Sequence, residues 1–375
     1  MTSQSSGLYL GAISGTSMDG LDLALLNMQT TPPQLIVGDT VQMDPQLRES
    51  LNNLALGNFD NLDALGRADT ALGRSIGEAI IQFLSHHNLS ANQIVAIGSH
   101  GQTVRHRPDA DNPFTLQIGD PNIIAEITGL PVVADFRRRD MAAGGQAAPL
   151  VPGFHELMFR TSHTNRVIVN IGGISNITLL SQHDEDPVIG FDTGPGNALM
   201  DGWIQKQRAQ SYDSNGAWAA GGHTDQELMQ LLLADDFLSG TPPKSTGREH
   251  YNLAWLDEIT LSMAHSISAQ NVQTTLTEFT ARTVAEAVQR WAYPTGELIV
   301  CGGGRHNSLL MTQLQTHISQ YKVVPCEELN IEGDWIEAAA FAWLACLRFD
   351  ARPGNIPSVT GARGKRVLGA VYSPD

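Results

Sequence analysis

The sequence contains few cysteines, few basic residues and no long apolar run, and each shortage excludes a class of protein. Its three cysteines, Cys301, Cys326 and Cys346, form no C-x-x-C pair, which excludes a disulfide framework and a zinc knuckle. Lysine and arginine number 23 against 39 acidic residues, and the net charge of -16 argues against nucleic acid or an anionic membrane as a partner. The longest strongly apolar run, Ala338 to Leu347, is too short to cross a bilayer.

The N-terminus also lacks the pattern of a signal peptide. Residues 1–6 carry no lysine or arginine, and the apolar residues that follow are interrupted by Gly11 and Ser14. Together with the unpaired cysteines, this predicts a chain of the reducing cytoplasm. The length of 375 residues predicts two domains. A composition of 42% hydrophobic and 17% charged residues is sufficient for full cores.

Three common motifs for nucleotide binding or nucleophilic catalysis are missing. The chain has no G-x-x-x-x-G-K-[ST] segment and no G-x-G-x-x-G between a strand and a helix, so a P-loop or Rossmann site loses its main support. The segment GTSMD, which begins at Gly15, fails the G-x-S-x-G pattern at its last position. A serine hydrolase is therefore weakly supported.

What the chain does contain is an alternation of strand-like and helical segments. Short apolar runs at residues 8–14 and 22–27 flank a glycine-rich turn at residues 15–20, which predicts a hairpin. From Leu62 to Phe83 apolar residues recur at helical spacing, and residues 94–98 read as the next buried strand. This alternation predicts an α/β fold.

The middle of the chain repeats the opening hairpin. Strand-like runs at residues 166–171 and 177–180 flank a glycine turn at residues 172–176. Two matched hairpins about one domain length apart predict a duplicated architecture whose halves face each other. A third glycine turn, at residues 301–304, follows a predicted strand and leads into a helix from about Ser308.

The repeat also predicts where the domains meet. No linker or low-complexity segment stands out, so the chain is expected to cross between domains near residues 135–143 and 347–353. The first domain is expected to comprise residues 1–135 plus 348–375, and the second residues 136–347. Each domain then carries one hairpin.

Glycine turns between strands suit the binding of an anion. Without a Cβ, successive N–H groups can converge on a phosphate, and nearby Ser, Thr and Asn side chains add donors. One such hairpin alone is more often a plain turn. Two matched hairpins together with a glycine triplet favour a phosphate site, in which an acidic residue can hold a metal.

Two acidic residues accompany these turns. Asp192 lies between glycines and directly before a Gly-Pro-Gly turn and Asn197, which is placed to begin a helix. A turn-forming aspartate is the alternative interpretation. Glu337 precedes an apolar helical run, where a first-turn glutamate favoured by the helix dipole is the alternative to a second acid at the site.

Basic residues give fewer candidates. The cluster Arg137 to Arg139 stands out in an acidic chain as an anion site, although a solvated basic face is the ordinary explanation. His100 is a candidate sugar contact or a hydrogen-bonded loop histidine. His86 and His87 end a predicted helix, where cations are common, and receive no role.

Seven segments in one order resemble the anhydro-N-acetylmuramic acid kinase family. They are GTSMDGLD from Gly15, SHGQT from Ser99, FTLQIGDP from Phe114, ADFRRRDMA from Ala134, NIGGISN from Asn170, FDTGPGN from Phe191 and CGGGRHN from Cys301. The resemblance extends over nearly the whole chain. The family belongs to the hexokinase, Hsp70 and actin superfamily, so it implies two duplicated actin-like (ribonuclease H-like) α/β domains with an active-site cleft between them.

The resemblance implies an ATP-dependent kinase that uses Mg²⁺. It would open the 1,6-anhydro bridge of 1,6-anhydro-N-acetylmuramic acid with water and phosphorylate O6, giving N-acetylmuramic acid 6-phosphate and ADP for peptidoglycan recycling. Water must attack C1 opposite O6, so a general base is required, as in inverting glycosidases. The implied partners are this small amino sugar and a second copy of the chain in a homodimer.

The resemblance also implies roles for individual residues. Asp192 would be the general base, Glu337 would assist at the sugar, and Mg²⁺ would bind near Asp19 or Asp22. The two hairpins and the glycine triplet would hold ATP through Gly15, Thr16, Ser17, Met18, Asp19, Gly20, Leu21, Asp22, Gly172, Gly173, Ser175, Asn176, Gly302, Gly303, Gly304 and Asn307. The sugar would contact His100, Gln102, Asp120, Arg138, Arg139 and Asp140.

Two other classes of function stay open at this point. One is another kinase of the same superfamily that acts on a plain hexose, a polyol or a carboxylic acid. The other is a nucleotide-switched binding or filament protein that resembles actin or Hsp70 and hydrolyses ATP without a small-molecule acceptor. Asp192 and the arginine cluster favour the enzyme over both.

Overall fold

The computed structural model of the protein describes residues 6–15, 18, 20–57, 61–329 and 331–375. Its contacts divide the chain into two compact units. The first unit ends at Met158 and resumes at Asp334, and the second spans Phe159–Gly333. The chain therefore crosses between units at different places from those predicted.

The strands alternate with helices along most of the chain. The strands are β1 (Leu8–Ser14), β2 (Gly20–Asn27), β3 (Gln34–Gln42), β4 (Ile94–Arg107), β5 (Phe114–Ile118), β6 (Val132–Ala134), β7 (Arg166–Ile171), β8 (Ile174–Leu180), β9 (Ile189–Pro195), β10 (Gly296–Cys301), β11 (Tyr321–Pro325) and β12 (Ala370–Tyr372). The helices are α1 (Pro45–Leu56), α2 (Leu62–His86), α3 (Pro121–Thr128), α4 (Phe136–Ala142), α5 (Pro152–Phe159), α6 (Ala198–Arg208), α7 (Gln226–Leu233), α8 (Asp236–Ser239), α9 (Leu253–Ser262), α10 (Ala269–Trp291), α11 (Ser308–His317), α12 (Ile336–Phe349) and α13 (Pro357–Thr360).

The two sheets share one topology. In the first unit the strand order is β12-β6-β4-β1-β2-β3, with β5 paired to β4; β1, β2 and β3 are antiparallel neighbours, whereas β4 and β6 run parallel to β1. In the second unit the order is β11-β10-β7-β8-β9, again with three antiparallel strands followed by two parallel ones. The predicted α/β fold with a duplicated hairpin is therefore confirmed.

Helix α12 explains why the domain prediction was wrong at its second crossing. This helix packs against β1, β2 and β4 of the first unit, although it was assigned to the second. Close approach is possible because Gly11 on β1 and Gly98 on β4 have no Cβ: one at Gly11 would lie 1.7 Å from the Ala338 carbonyl oxygen. The apolar run that is too short for a membrane is thus a buried core helix.

Asp140 explains the error at the first crossing. Its carboxylate is fully buried, and Asn355 and Thr360 donate side-chain hydrogen bonds of 2.7 and 2.8 Å to its Oδ1. The backbone N–H of Ala147 donates to its Oδ2 at 2.9 Å. These bonds attach α4 to the C-terminal segment of the first unit, so the chain cannot change units at residue 135.

The remaining packing agrees with the predicted patterns. Helix α2 buries Leu72, Ile76, Ile80 and Phe83 against the first sheet's core, as the helical spacing predicts. The three cysteines are free and buried. Among the residues that the structure describes, no helix combines the length and apolar character needed to span a membrane.

One exposed histidine gives the second unit a pH-dependent contact. The ring of His265 lies 2.8 Å from carboxylate oxygens of both Asp225 and Glu227, and Asp225 also caps α7 by accepting from the Leu228 N–H. Hydrogen bonds to Asp225 and then Glu227 raise the pKa of His265 above its usual 6.5. Because the folded pKa is the higher one, this stabilisation is complete below about pH 6.5 and is lost as pH rises through the folded pKa.

We therefore expect His265→Asn to lower the thermal midpoint at pH 5.5 and to have little effect at pH 8.5. Unfolding followed by circular dichroism across this range measures the difference from the wild type. His163, which is also exposed in the second unit, provides the control variant His163→Asn. If the difference in thermal midpoint between wild type and His265→Asn does not shrink with rising pH, the contact of His265 with Asp225 and Glu227 does not depend on protonation.

Candidate active site

In the first hairpin, between β1 and β2, Gly20 packs closely against β3. A Cβ on Gly20 would lie 2.9 Å from the Val41 carbonyl oxygen, so only glycine fits. The side chains of Met18 and Leu21 are buried in the core, so these residues could contact a nucleotide only through the backbone. The predicted ATP contacts Thr16, Ser17 and Asp19 lie outside the described residues.

Of the two predicted metal ligands in this hairpin, Asp22 is the one that the structure describes. It lies opposite Thr40 in the β2–β3 register, and the Thr40 hydroxyl donates to its Oδ1 at 2.7 Å. Trp335 in turn lies against Gly38, and its indole N–H points to the Thr40 hydroxyl at 3.4 Å. Thr40 therefore fixes a half-buried carboxylate beside the turn, a group suited to Mg²⁺.

His100 lies on a β-bulge of β4. Ala12 pairs with Ser99 and Ile13 with Gly101, so His100 is the extra residue and its side chain is re-aimed. Its Nδ1 lies 3.0 Å from the Gly101 carbonyl, which can only accept, so Nδ1 carries the proton. Nε2 accepts from Arg137 Nε at 2.8 Å, which requires a neutral ring. Burial, and then the charge of Arg137, hold the pKa of His100 well below its usual 6.5.

The arginine cluster divides into one inward and two outward side chains. Arg137 is half-buried, bonds His100 and also donates to the Ala147 carbonyl at 2.6 Å. Arg138 and Arg139 are exposed, and Arg138 pairs with Asp135 at 2.6 Å. The geometry therefore favours Arg137, which was not chosen, over the two predicted sugar contacts.

Two predicted sugar contacts, Asp140 and Asp120, have structural roles in the fold. Asp140 is buried, and the bonds that attach α4 to the C-terminal segment occupy both of its carboxylate oxygens. Asp120 caps α3: its Oδ1 accepts from the Asn122 N–H at 2.9 Å. The fold thus uses both carboxylate oxygens of Asp140 but only Oδ1 of Asp120, so the geometry favours Asp120 over Asp140 as a sugar contact.

Polar groups near His100 fit a polar ligand better. Gln102 Oε1, Ser99 Oγ and Ser14 Oγ are buried and have no hydrogen-bond partner among the described residues, which is costly unless a ligand or water satisfies them. Glu337 lies in the first turn of α12, one turn before Phe341, whose ring packs on His100 at 4.6 Å between centroids. Residues four apart share a helix face, so Glu337 lies on the face that contacts His100.

In the second unit, residues 196–198, which follow Asp192, form hydrogen bonds with the second hairpin, between β7 and β8. The N–H groups of Gly196 and Ala198 donate to the Gly173 carbonyl at 3.0 and 3.1 Å, and the N–H of Asn197 donates to the Gly172 carbonyl at 2.7 Å. A Cβ on Gly196 would lie 2.3 Å from the Gly172 oxygen. The Gly-Pro-Gly turn therefore fixes the hairpin glycines.

The glycine triplet packs on the same hairpin. A Cβ on Gly302 would lie 2.8 Å from the Ile171 carbonyl oxygen, and one on Gly304 would lie 2.4 Å from the Ile171 side chain. Gly303 lies beside the Asn197 amide. The second hairpin and the glycine triplet, two segments predicted to bind ATP, are thus brought together with the Gly-Pro-Gly turn. Asn307, predicted with them, caps α11 by accepting from the Leu310 N–H at 3.1 Å.

Asp192 lies in a row of polar residues across the second sheet. Asn170 pairs with Asn176, and Asn176 pairs with Asp192, so their side chains leave the same face. Thr193 is the extra residue of a bulge directly after Asp192. The predicted ATP contact Ser175 is fully buried and, by strand alternation, faces the opposite side, so its hydroxyl is not presented with Asn176.

The carboxylate of Asp192 is held by a segment that was not predicted. The N–H of Thr246 donates to its Oδ2 at 2.9 Å, and the N–H of Asp192 donates to the Lys244 carbonyl at 3.1 Å. Burial lowers the pKa of Lys244, and the charge of Asp192 partly offsets this effect. The aspartate is therefore a fixed strand residue and not a turn residue.

The segment of residues 244–246 that contacts Asp192 is itself held by hydrogen bonds. Lys244 Nζ donates to the carbonyls of Phe237 and Leu238 at 2.9 and 3.1 Å. Asp235, just before α8, accepts from the Tyr251 hydroxyl at 3.1 Å and lies 2.7 Å from His250 Nε2. Residues on both sides of Thr246 are thus tied down, which limits the positions that the Asp192 carboxylate can adopt.

Comparison with known proteins identifies the family. The model of the family described as anhydro-N-acetylmuramic acid kinase matches residues 7–374. The chain belongs to this family. It is 47% identical over 364 residues to the anhydro-N-acetylmuramic acid kinase of Coxiella burnetii (strain Dugway 5J108-111), with 97% of each chain covered. It is 46% identical over 367 residues to that of Shewanella pealeana (98% and 99% covered) and 47% identical over 365 residues to that of Pasteurella multocida (97% and 96% covered).

Membership of this kinase family confirms the predicted enzyme class. The chain is a phosphotransferase with an alcohol acceptor and two α/β units, and ATP is its phosphoryl donor. The roles of the individual residues are a separate question, which the geometry above constrains.

Proposed function

We propose that this chain transfers the γ-phosphate of ATP to O6 of 1,6-anhydro-N-acetylmuramic acid while water opens the anhydro bridge, with Asp192 as the general base. The observation that carries this assignment is the half-buried Asp192 carboxylate, which the Thr246 N–H holds in a chain that matches the kinase family over residues 7–374. Its position next to the second hairpin suits a base that must act beside a nucleotide site.

The reaction balances with one base. Water forms a bond to C1 and gives its proton to Asp192, and the C1–O6 bond breaks with its electron pair left on O6. O6 then bonds to the γ-phosphorus of ATP, and the bond from that phosphorus to the β-phosphate bridging oxygen breaks. The products are N-acetylmuramic acid 6-phosphate and ADP, as peptidoglycan recycling requires.

We include Mg²⁺ in the proposal, with the Asp22 carboxylate as a ligand. The carboxylate is half-buried, oriented by Thr40 and placed at the first hairpin, which fits an ion that prefers oxygen ligands. When bound with ATP, the ion would neutralise charge on the phosphates. The backbone around Gly20 and the second hairpin with Gly302 to Gly304 would supply the remaining nucleotide contacts.

The sugar contacts are assigned to the first unit. Neutral His100, Gln102 and Glu337 offer hydrogen-bonding groups, and Arg137 offers a half-buried positive charge for the lactyl carboxylate. Arg138 and Arg139 are exposed and have no comparable support.

The reaction is tested with wild-type protein, ATP and the anhydro sugar in ¹⁸O-labelled water. Mass spectrometry should find one ¹⁸O atom at C1 of the phosphosugar and none in its phosphate. A phosphosugar that retains the anhydro bridge would contradict the coupled reaction. Equal turnover of a plain hexose would favour the alternative sugar kinase, and ATP hydrolysis that no sugar stimulates would favour a nucleotide-switched binding protein.

The N–H of Thr246 allows a sharp test of how Asp192 is held. We expect Thr246→Pro, which removes the donor, to lower kcat about 10- to 100-fold, because a hydrogen bond to a charged group is worth about 1.5–3 kcal/mol. Thr246→Ala keeps the N–H and should retain near-normal kcat. Sugar and ATP affinities, measured by calorimetry, should be similar in both variants. Equal kcat in the two variants would contradict a role for this N–H.

The choice among the arginines is tested with a substrate pair. Arg137→Met should raise KM for the anhydromuramic sugar about 10- to 100-fold, whereas Arg138→Met, its exposed neighbour, should change KM little. With 1,6-anhydro-N-acetylglucosamine, which lacks the lactyl group, the two variants should behave alike. A loss in Arg137→Met that is equal for both sugars would assign Arg137 to folding or to another part of the site.

The oligomeric state and location complete the proposal. The family resemblance favours a homodimer that works in the cytoplasm, where muropeptide sugars are reused. Sedimentation equilibrium of the purified protein checks the dimer. A monomer at micromolar concentration that retains full activity would contradict it.

A further inference from the structure

We propose that Asp39, His86 and His87 form a binding site for a divalent transition-metal ion, separate from the nucleotide site. One ligand atom of each residue lies within 4.8 Å of the others. Among the described residues, no other group of three histidine, cysteine or acidic side chains meets this condition. All three residues belong to the first unit.

Two elements bring the ligands together. Asp39 lies on β3, and His86 ends α2 with His87 as its C-cap residue. His87 Nε2 lies 2.6 Å from Asp39 Oδ2, and the two histidine rings lie 4.8 Å apart between centroids. The Phe83 ring packs on His87 at 4.6 Å, so one wall of the site is apolar and the His87 side chain is only 20% exposed.

The donor atoms determine which ion fits. Two imidazole nitrogens and one carboxylate oxygen suit Zn²⁺, Co²⁺, Ni²⁺ or Cu²⁺, whereas Mg²⁺ and Ca²⁺ prefer oxygen ligands alone. Donors on a common tetrahedral ion lie about 3.3 Å apart when each bond is about 2.0–2.1 Å. His87 and Asp39 must therefore separate slightly and His86 must approach. His86 is exposed at the end of a helix, so its side chain can turn at little cost.

The three residues of this site differ from those assigned to catalysis and to nucleotide binding, although β3 also carries Thr40, which orients Asp22. Thr40, next to Asp39 on β3, bonds Asp22, whereas Asp39 bonds His87. Because side chains alternate along a strand, Asp39 leaves the face opposite to Thr40. An ion bound here would join the end of α2 to β3 without touching the nucleotide hairpin.

The test is a titration of full-length, tag-free and chelator-treated protein with Co²⁺ and Zn²⁺, in millimolar Mg²⁺ to occupy any oxygen-only site. We expect one Zn²⁺ per chain by calorimetry, visible d–d absorption with Co²⁺, and a higher thermal midpoint with Zn²⁺.

Variants make the assignment specific. His86→Ala, which changes an exposed side chain, and Asp39→Asn should each weaken Zn²⁺ affinity at least about tenfold, since even outer-shell changes cost about 10- to 100-fold. His163→Ala removes an exposed histidine from the second unit and should leave affinity unchanged. Absence of binding at micromolar Zn²⁺, binding that survives both ligand variants, or equal affinity for Mg²⁺ would each overturn the proposal.

Discussion

Asp192→Asn is expected to lower turnover by about 10² to 10⁴, the usual cost of losing a general base. The amide keeps the size of the side chain, and its oxygen can still accept from the Thr246 N–H that now donates to Asp192 Oδ2. What it loses is the ability to take a proton from water as water attacks C1. ATP and sugar should still bind with similar affinity, because neither ligand depends mainly on that charge.

The measurement follows both chemical steps in the mutant. In ¹⁸O water, the mutant should release ring-opened sugar and phosphosugar at the same reduced rate, because O6 becomes a nucleophile only as its bond to C1 breaks. Asp184→Asn, which changes an exposed aspartate in the same unit, is the control and should retain full turnover. Near-normal turnover of Asp192→Asn would place the base elsewhere and leave Asp192 a structural residue.

The sequence predicted local features of this site better than long-range ones. Strands β1 and β7 begin and end where the apolar runs do, because hydrophobic periodicity and flanking glycines are local signals. Asp192 was selected as a candidate base because glycines flank it. Its partner Thr246 lies 54 residues further along the chain, and no pattern at residue 192 indicates which backbone N–H will reach the carboxylate.

The arginine cluster shows a second limit. Three adjacent arginines have identical side chains and the same charge. Consecutive residues of a helix, however, point about 100° apart. Only Arg137 meets His100, and His100 is itself re-aimed by a bulge that leaves no mark in the spacing of apolar residues. The sequence could not distinguish Arg137 from Arg138 and Arg139, because the distinction requires the direction of each side chain.

The sequence contains a signal for the position of α12 that our prediction overlooked. Gly11 and Gly98 lie on neighbouring parallel strands, where side chains would ordinarily fill the core. Glycine at such positions often marks a site where another backbone approaches closely. That signal, together with the apolar run from Ala338, is consistent with a helix packed directly on this sheet and therefore with its assignment to the first unit.

Gly11→Ala is accordingly expected to destabilise the first unit by about 3 kcal/mol or more, at or above the upper end of the usual cost of overpacking. The new Cβ would lie 1.7 Å from the Ala338 carbonyl oxygen and 2.9 Å from the Ala342 nitrogen. Both atoms belong to the α12 backbone, so no side-chain rotation relieves the contact and the helix must move away from β1. Glu337 in its first turn moves with it, so activity should fall as well.

Gly66→Ala is the matched control for this substitution. Gly66 lies inside α2, is exposed, and has no atom within 4 Å of where its Cβ would be. Alanine there should stabilise the helix by about 0.5–1 kcal/mol, since glycine is a poor helix former. Urea midpoints compare the two variants, and hydrogen exchange of the peptide Ile336–Phe349 reports on α12 itself. A Gly11→Ala protein with wild-type midpoint and wild-type exchange would show that α12 does not lie on β1 at this distance.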